Sequence, residues 1–189
     1  MIRVAVVGAA GYTGGEVLRL LLHHDHVGVQ NLTVVSSSHA GEHVAVAHPD
    51  LDGSTDLHFV ATPPDDADLY ILCLGHGKST AWMEQNELHA HAKVIDLGND
   101  FRIENEARAF VYGLPEVHRN RLRTATRVAN PGCFATAIQL AVLPLAERGL
   151  LTGDMVVHAI TGSTGAGQQP TDTTHYSWRT NNVSTYKVF

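Results

Sequence analysis

The sequence predicts a doubly wound α/β sheet followed by the start of a second, α+β domain. Three observations predict it. Short, almost wholly apolar runs recur at residues 2–7, 31–36, 69–74 and 93–97. Such runs suit strands buried on both faces of a parallel sheet. Helical patterns alternate with them, which is the βαβα signature of that class. The first run passes into the first helical pattern through a glycine-rich turn, Gly8 to Gly15. Together these give a Rossmann-type parallel sheet over residues 1–130, and the remaining length, residues 131–189, allows the start of a second domain.

The elements follow in order. IRVAVV (2–7) is the first strand, and the pattern after Gly15 is helical to about residue 24. NLTVVS (31–36) is the second strand. Residues 37–56 are polar, hold Gly41, Pro49 and Gly53, and read as loop with room for a short helix. A short strand is expected at 57–61, and LYILCL (69–74) is the next buried one. A helix is expected over 78–90 and a strand over 93–97, while 98–125 is mixed. RVA (127–129) is a short strand ending at Asn130-Pro131-Gly132. Residues 134–148 are helical, with Pro144 predicting a kink or early stop and Gly149 a C-cap. A strand is expected at 155–161, ahead of a polar tail over 168–189.

Composition narrows the function classes. The chain has 189 residues, 44% hydrophobic and 17% charged, as expected of a globular protein. The net charge of −6, without a basic block, argues against a nucleic-acid surface. No apolar run reaches 18 residues, so no membrane helix is expected. Two cysteines make no disulfide scaffold and fit a reducing compartment. Met1-Ile2-Arg3-Val4 runs straight into a strand without a secretory signal, so a cytoplasmic protein is expected.

The chemistry is carried by five stretches. Gly8, Ala10, Gly11, Tyr12, Thr13 and Gly14 lie in the turn between first strand and first helix. Glycines there let backbone amides approach a pyrophosphate resting on the helix N-terminus. The spacing is G-x-x-G-x-x-G, so the strand–turn–helix context carries the reading. At the end of the second strand an acid would bind the ribose 2′-hydroxyl of NAD. Ser36, Ser37 and Ser38, with His39, stand there instead, and favour NADP(H) as cofactor. Gly75, His76 and Gly77 follow the third long strand and should line the crevice near the nicotinamide.

Asn130-Pro131-Gly132-Cys133 is the most informative stretch. A turn forced by Pro and Gly places Cys133 at a helix start, where the dipole and amides favour a thiolate. The same amides suit an oxyanion. A buried structural cysteine is the alternative, and it is the reading adopted for Cys73 within LYILCL. Gly162 to Gly167 can form an anion nest, with Gly165 and Gly167 assigned to cofactor and Ser163 to substrate; a tight loop is the alternative. The clusters His23-His24-x-His26 and His89-x-His91 lack metal-site spacing, so no metal is expected.

GAAGYTGGEV, DLGNDFR (96–102), VYGLPE (111–116), NPGCFATA (130–137) and GSTGAG (162–167) occur in one order. This combination resembles the N-acetyl-γ-glutamyl-phosphate reductases of arginine biosynthesis, within the semialdehyde dehydrogenase superfamily. The resemblance implies an NADPH-dependent acyl-phosphate reductase that is a homo-oligomer at full length, and makes residues 131–189 the start of its catalytic domain, which is incomplete here. Cys133 would be the catalytic nucleophile forming a thioester, with Arg102 and Asn130 as substrate-binding residues. Arg102 could instead serve a structural ion pair. In the family an acid/base histidine follows a Tyr-Lys-Val stretch, and here Tyr186-Lys187-Val188-Phe189 is the last of the sequence. No residue matches that histidine, and its role is not transferred to His175. A related aspartyl- or aminoadipyl-phosphate reductase and a non-catalytic NADP-binding module remain alternatives. A short-chain dehydrogenase is disfavoured because no Tyr-x-x-x-Lys occurs.

Overall fold

A computed structural model describes residues 2–103 and 109–185. The Tyr186 to Phe189 stretch lies outside the described residues. The chain divides into two units, Met1–Val157 and His158–Phe189.

The first unit is built on one six-stranded sheet. Its strands are β1 (Val4–Val7), β2 (Leu32–Val35), β3 (Leu69–Leu72), β4 (Lys93–Asp96), β5 (Val111–Tyr112) and β6 (Arg127–Ala129). Their order is β2-β1-β3-β4-β6-β5, and every pairing is parallel. β1 is buried at all four positions, as its unbroken apolar run requires. Alternate residues feed two cores. Val4 and Val6 join Leu32, Val34 and Ile71 on one face; Ala5 and Val7 join Val35, Tyr70, Leu72 and Val94 on the other. Helix α1 (Tyr12–Leu22) covers the first face through the fully buried Leu18. Helix α2 (Ser79–Gln85) covers the second through Trp82 and Met83. Helices on both faces make the sheet doubly wound, as the sequence predicts.

The strand order sets where a ligand fits. The chain runs from β1 to β2 on one side, then crosses back to place β3 on the other side of β1. Ligands of open α/β sheets bind outside the carboxyl ends of strands at such a reversal.

Several elements differ from expectation. The region 98–125 contains β5 and helix α3 (Pro115–Leu122). Residues 57–61 form bridges only, Val60 beside Val35 and His58 beside His43. α4 (Cys133–Ala146) runs past Pro144 and ends two residues later, so the proline sits in its last turn. Gly149, at φ +65°, closes it, and the Leu150 amide donates to the Leu145 carbonyl at 3.0 Å. The strand expected at 155–161 is absent; these residues have no regular structure. An apolar alternation becomes a strand only when a neighbour satisfies its backbone, and no described strand pairs with it. In the second unit, one turn of 3-10 helix spans Ser163–Ala166 and one short helix, α5, spans Tyr176–Arg179.

Candidate active site

The turn after β1 is fixed from three sides. The amides of Gly8 and Ala9 both donate to the Val35 carbonyl at the end of β2, at 3.0 Å each. Gly8 has φ +82°, and a Cβ there would lie 2.6 Å from the Cys73 carbonyl oxygen. Only glycine permits both the conformation and the approach of the loop after β3. Gly11 is the N-cap of α1 and supplies no side-chain acceptor, so the amides of Tyr12, Thr13 and Gly14 point past the helix start. A Cβ on Gly14 would meet the Ala9 backbone at 2.6 Å. Ala10 lies between these anchors.

The serine turn abuts this loop, because Val35 both accepts from Gly8 and precedes Ser36. Ser36 is buried, and its amide donates to the Val60 carbonyl. Ser37 to His39 make a 3-10 turn. The hydroxyls of Ser36 and Ser38 lie 3.3 Å apart, and Ser38 Oγ lies 2.9 Å from His39 Nδ1. Residues 36–41 carry no acid.

Gly75, His76 and Gly77 are exposed at the end of β3, across the reversal from the glycine turn. Two aspartates brace this loop and the start of α2, Asp100 from just beyond β4 and Asp96 from its last position. Asp100 accepts from the Gly77 amide at 2.8 Å and the Thr80 amide at 3.1 Å. Burial alone would raise its pKa, but those amides outweigh it and hold the carboxyl below its ordinary value. Asp96 is fully buried and accepts from Ser79 Oγ at 2.5 Å and the Gly98 amide at 3.1 Å. Its Oδ2 is buried without a partner. Burial, opposed by the Ser79 and Gly98 bonds, pushes this carboxyl upward.

Cys133 is exposed and is the first residue of α4. The turn before it is held by Arg102, whose Nε donates to the Asn130 carbonyl at 2.9 Å and Nη2 to the Leu97 carbonyl at 3.1 Å. Its Nη1 lies 3.0 Å from where a Cβ on Gly132 would stand. Arg102 thus clamps the ends of β4 and β6 directly beside the nucleophile. Asn130 Nδ2 donates to the Pro131 carbonyl at 3.1 Å. Thr136 donates through both amide and hydroxyl to Gly132, at 2.9 and 3.0 Å. Cys133 follows β6, three strand spacings from β1 on the same sheet edge, or about 14 Å.

Ser163, Gly165 and Gly167 belong to the second unit. The Gly165 amide donates to Gly162 at 3.3 Å and the Gly167 amide to Thr164 at 3.0 Å. Both donors are spent inside the turn.

A glycine turn, a serine turn and an exposed cysteine therefore share one carboxyl edge. The family profile described as semialdehyde dehydrogenase, NAD binding domain, matches residues 3–125. The chain belongs to the semialdehyde dehydrogenase family. A second semialdehyde dehydrogenase profile, the dimerisation domain, matches residues 133–189. Among semialdehyde dehydrogenases and their relatives, the chain is 49% identical to an N-acetyl-gamma-glutamyl-phosphate reductase of Bacteroides thetaiotaomicron, over 100% of this chain and 58% of that protein. It is 47% identical to the enzyme of the same name from Flavobacterium johnsoniae, over 100% of this chain and 59% of that protein. The chain thus spans under three-fifths of the length of these relatives. Two solved aspartate semialdehyde dehydrogenases share the fold. That from Vibrio cholerae, complexed with ASA, has TM-score 0.60 and 20% identity over 78% of this chain and 47% of its own. That from Candida albicans, with NADP, has TM-score 0.57 and 17% identity over 79% and 48%.

The glycine turn, the serine turn and Cys133 are legible in the sequence of this family member. Asp96, Ser79 and His48, three of its four buried polar residues among those described, are not. Their partners lie 17 and 39 residues away, and no local spacing marks them.

Proposed function

We propose that this chain carries the cofactor site and nucleophile of an NADPH-dependent reductase of N-acetyl-γ-glutamyl phosphate. The carrying observation is the placement of exposed Cys133 at the start of α4, on the sheet edge that holds the glycine turn. The names of relatives at 46–49% identity supply the substrate. The residues fit NADP. Gly8 and Gly14 let the turn close on the backbone of Cys73 and Ala9, where a Cβ would collide, and Ser36, Ser37 and Ser38 offer hydroxyls with no carboxylate to repel a 2′-phosphate. Gly75, His76 and Gly77 stand across the reversal, where the nicotinamide half would lie.

Cys133 attacks as the thiolate. Its sulfur bonds to the acyl carbon, the carbon–oxygen bond to phosphate breaks, and phosphate leaves with that electron pair. Amides at the start of α4 face the developing oxyanion. Bound NADPH supplies the hydride that reduces the thioester carbon. The thiohemiacetal oxygen, protonated as the hydride arrives, gives that proton up again as the carbon–sulfur bond breaks with its electron pair passing to sulfur, which releases the aldehyde, N-acetylglutamate 5-semialdehyde, and returns Cys133 as thiolate. Arg102, Asn130 and Ser163 are the residues assigned to the substrate's charged groups; a guanidinium suits carboxylate and phosphate alike. The second-profile match supports assembly as a homo-oligomer in the full-length protein.

The test is intact-protein mass after mixing the chain with N-acetyl-γ-glutamyl phosphate. An acyl adduct mapping to Cys133, and absent from Cys133→Ser, is expected. No adduct, or one on another residue, overturns the reading.

A further inference from the structure

His48 has no part in the reaction above, yet it is only 4% exposed. It precedes a 3-10 turn, Pro49–Leu51, in the segment whose sequence reads as loop with a short helix. Its Nε2 lies 2.7 Å from the Ala9 carbonyl oxygen. A carbonyl can only accept, so Nε2 carries the proton and donates. The ring's other edge lies against Gly15, where a Cβ would come within 2.6 Å of Cε1 and 2.7 Å of Nδ1. One buried imidazole therefore spans the glycine turn from its start to the first turn of α1.

The segment bearing His48 is itself pinned. Arg19 donates to both oxygens of Asp50, at 2.7 Å each, and to Glu16 at 3.0 Å. Leu51 is buried in the core beneath α1. The ring thus has a fixed base. The peptide following Ala9 is trans. A trans peptide points its carbonyl and N–H in opposite directions. Holding the Ala9 carbonyl on the His48 side turns the Ala10 amide toward the opposite face of the turn.

We infer that His48 is a positioning residue for the dinucleotide: by fixing the Ala9–Ala10 peptide plane from behind, it sets the direction in which the glycine turn presents amides to the pyrophosphate. The inference rests on the dinucleotide reading above. Small glycine at position 15 is then explained by the ring it must admit.

The experiment is calorimetric titration of the chain with NADPH, alongside the rate of Cys133 alkylation by iodoacetamide. His48→Phe fills the space without a donor and is expected to weaken NADPH roughly tenfold, the scale of one buried hydrogen bond. His48→Gln keeps a donor at the Nε2 position and is expected to restore binding. Cys133 alkylation should be the same in both variants, since the turn before α4 is held by other residues. Gly15→Ala, which favours the helix while displacing the ring, should weaken binding as His48→Phe does. Undiminished binding in His48→Phe, or Gln as weak as Phe, overturns the inference. Failure of the wild-type chain to bind NADPH overturns the dinucleotide reading itself, and this inference with it.

Discussion

Cys73 and Cys133 follow strands on the same sheet edge but sit in opposite surroundings. Burial, with the nearby Asp96 carboxylate adding to it, pushes the Cys73 thiol up to about 12. Cys133 is exposed at a helix start. Iodoacetamide should therefore label Cys133 first, and peptide mass mapping that found Cys73 first would contradict the site. Ser36 offers a second residue-level check. Ser36→Asp places a carboxylate where the 2′-phosphate would lie, so NADPH should bind more weakly while NADH gains. Equal binding of both dinucleotides by the two proteins would remove the serine turn from the cofactor site. Asp96 gives a third. Burial raises its folded pKa above the ordinary 3.8, so the stability it contributes is present below that value. That stability is lost as pH rises through the folded pKa. Asp96→Asn still accepts from Ser79 and Gly98 but cannot ionise. Its denaturant midpoint relative to wild type should rise above about pH 4 and then level off. A relative midpoint independent of pH would show that Asp96 titrates normally.

The ends of β4 and β6 meet through Arg102, and that joint decides how firmly the Cys133 turn is held. Arg102→Ala removes two charge-assisted bonds to backbone carbonyls. A loss of about 2–4 kcal/mol in stability is expected by denaturant titration, with slower acylation of Cys133. Unchanged stability with lost acylation would instead make Arg102 a pure substrate ligand. The same joint shows where sequence legibility ended. β1, β3 and β4 were readable because strands buried on both faces leave continuous apolar runs. The helix starting at Cys133 was readable because Pro131 and Gly132 punctuate it. Residues 155–161 carried an equally apolar pattern but form no strand, since pairing depends on a neighbour that local pattern cannot reveal. β5 and α3 were hidden for a related reason: β5 has two residues, too few to show a period, and α3 is mostly polar, with Val117 and Leu122 too few to mark a face. The bracing carboxylates and His48 were illegible because their roles come from contacts across the sheet edge.

At the scale of the whole molecule, the two ends of the chain are unequally covered. The sheet carries two cores, whereas α4 has no buried residue and Leu145, Leu150, Val156 and Ile160 are exposed. These residues lie in the stretch matched by the dimerisation profile, and the chain spans 58–59% of the curated relatives' length. The proposed chemistry divides along the same line. Acylation needs an accessible sulfur nucleophile, which exposed Cys133 offers, and an acyl phosphate already activated by its leaving group. Proton delivery to the thiohemiacetal needs a positioned acid, and the acid/base histidine that the family resemblance implies after a Tyr-Lys-Val stretch has no counterpart in this sequence. General acid–base groups contribute roughly 100- to 10,000-fold. The 189-residue chain should therefore accumulate acylated Cys133 while oxidising NADPH at least about 100-fold more slowly than the full-length Bacteroides thetaiotaomicron relative assayed beside it. Comparable turnover by the two proteins would show that the residues described here handle the proton themselves, and the division of labour between the nucleophile and a separate acid would have to be redrawn.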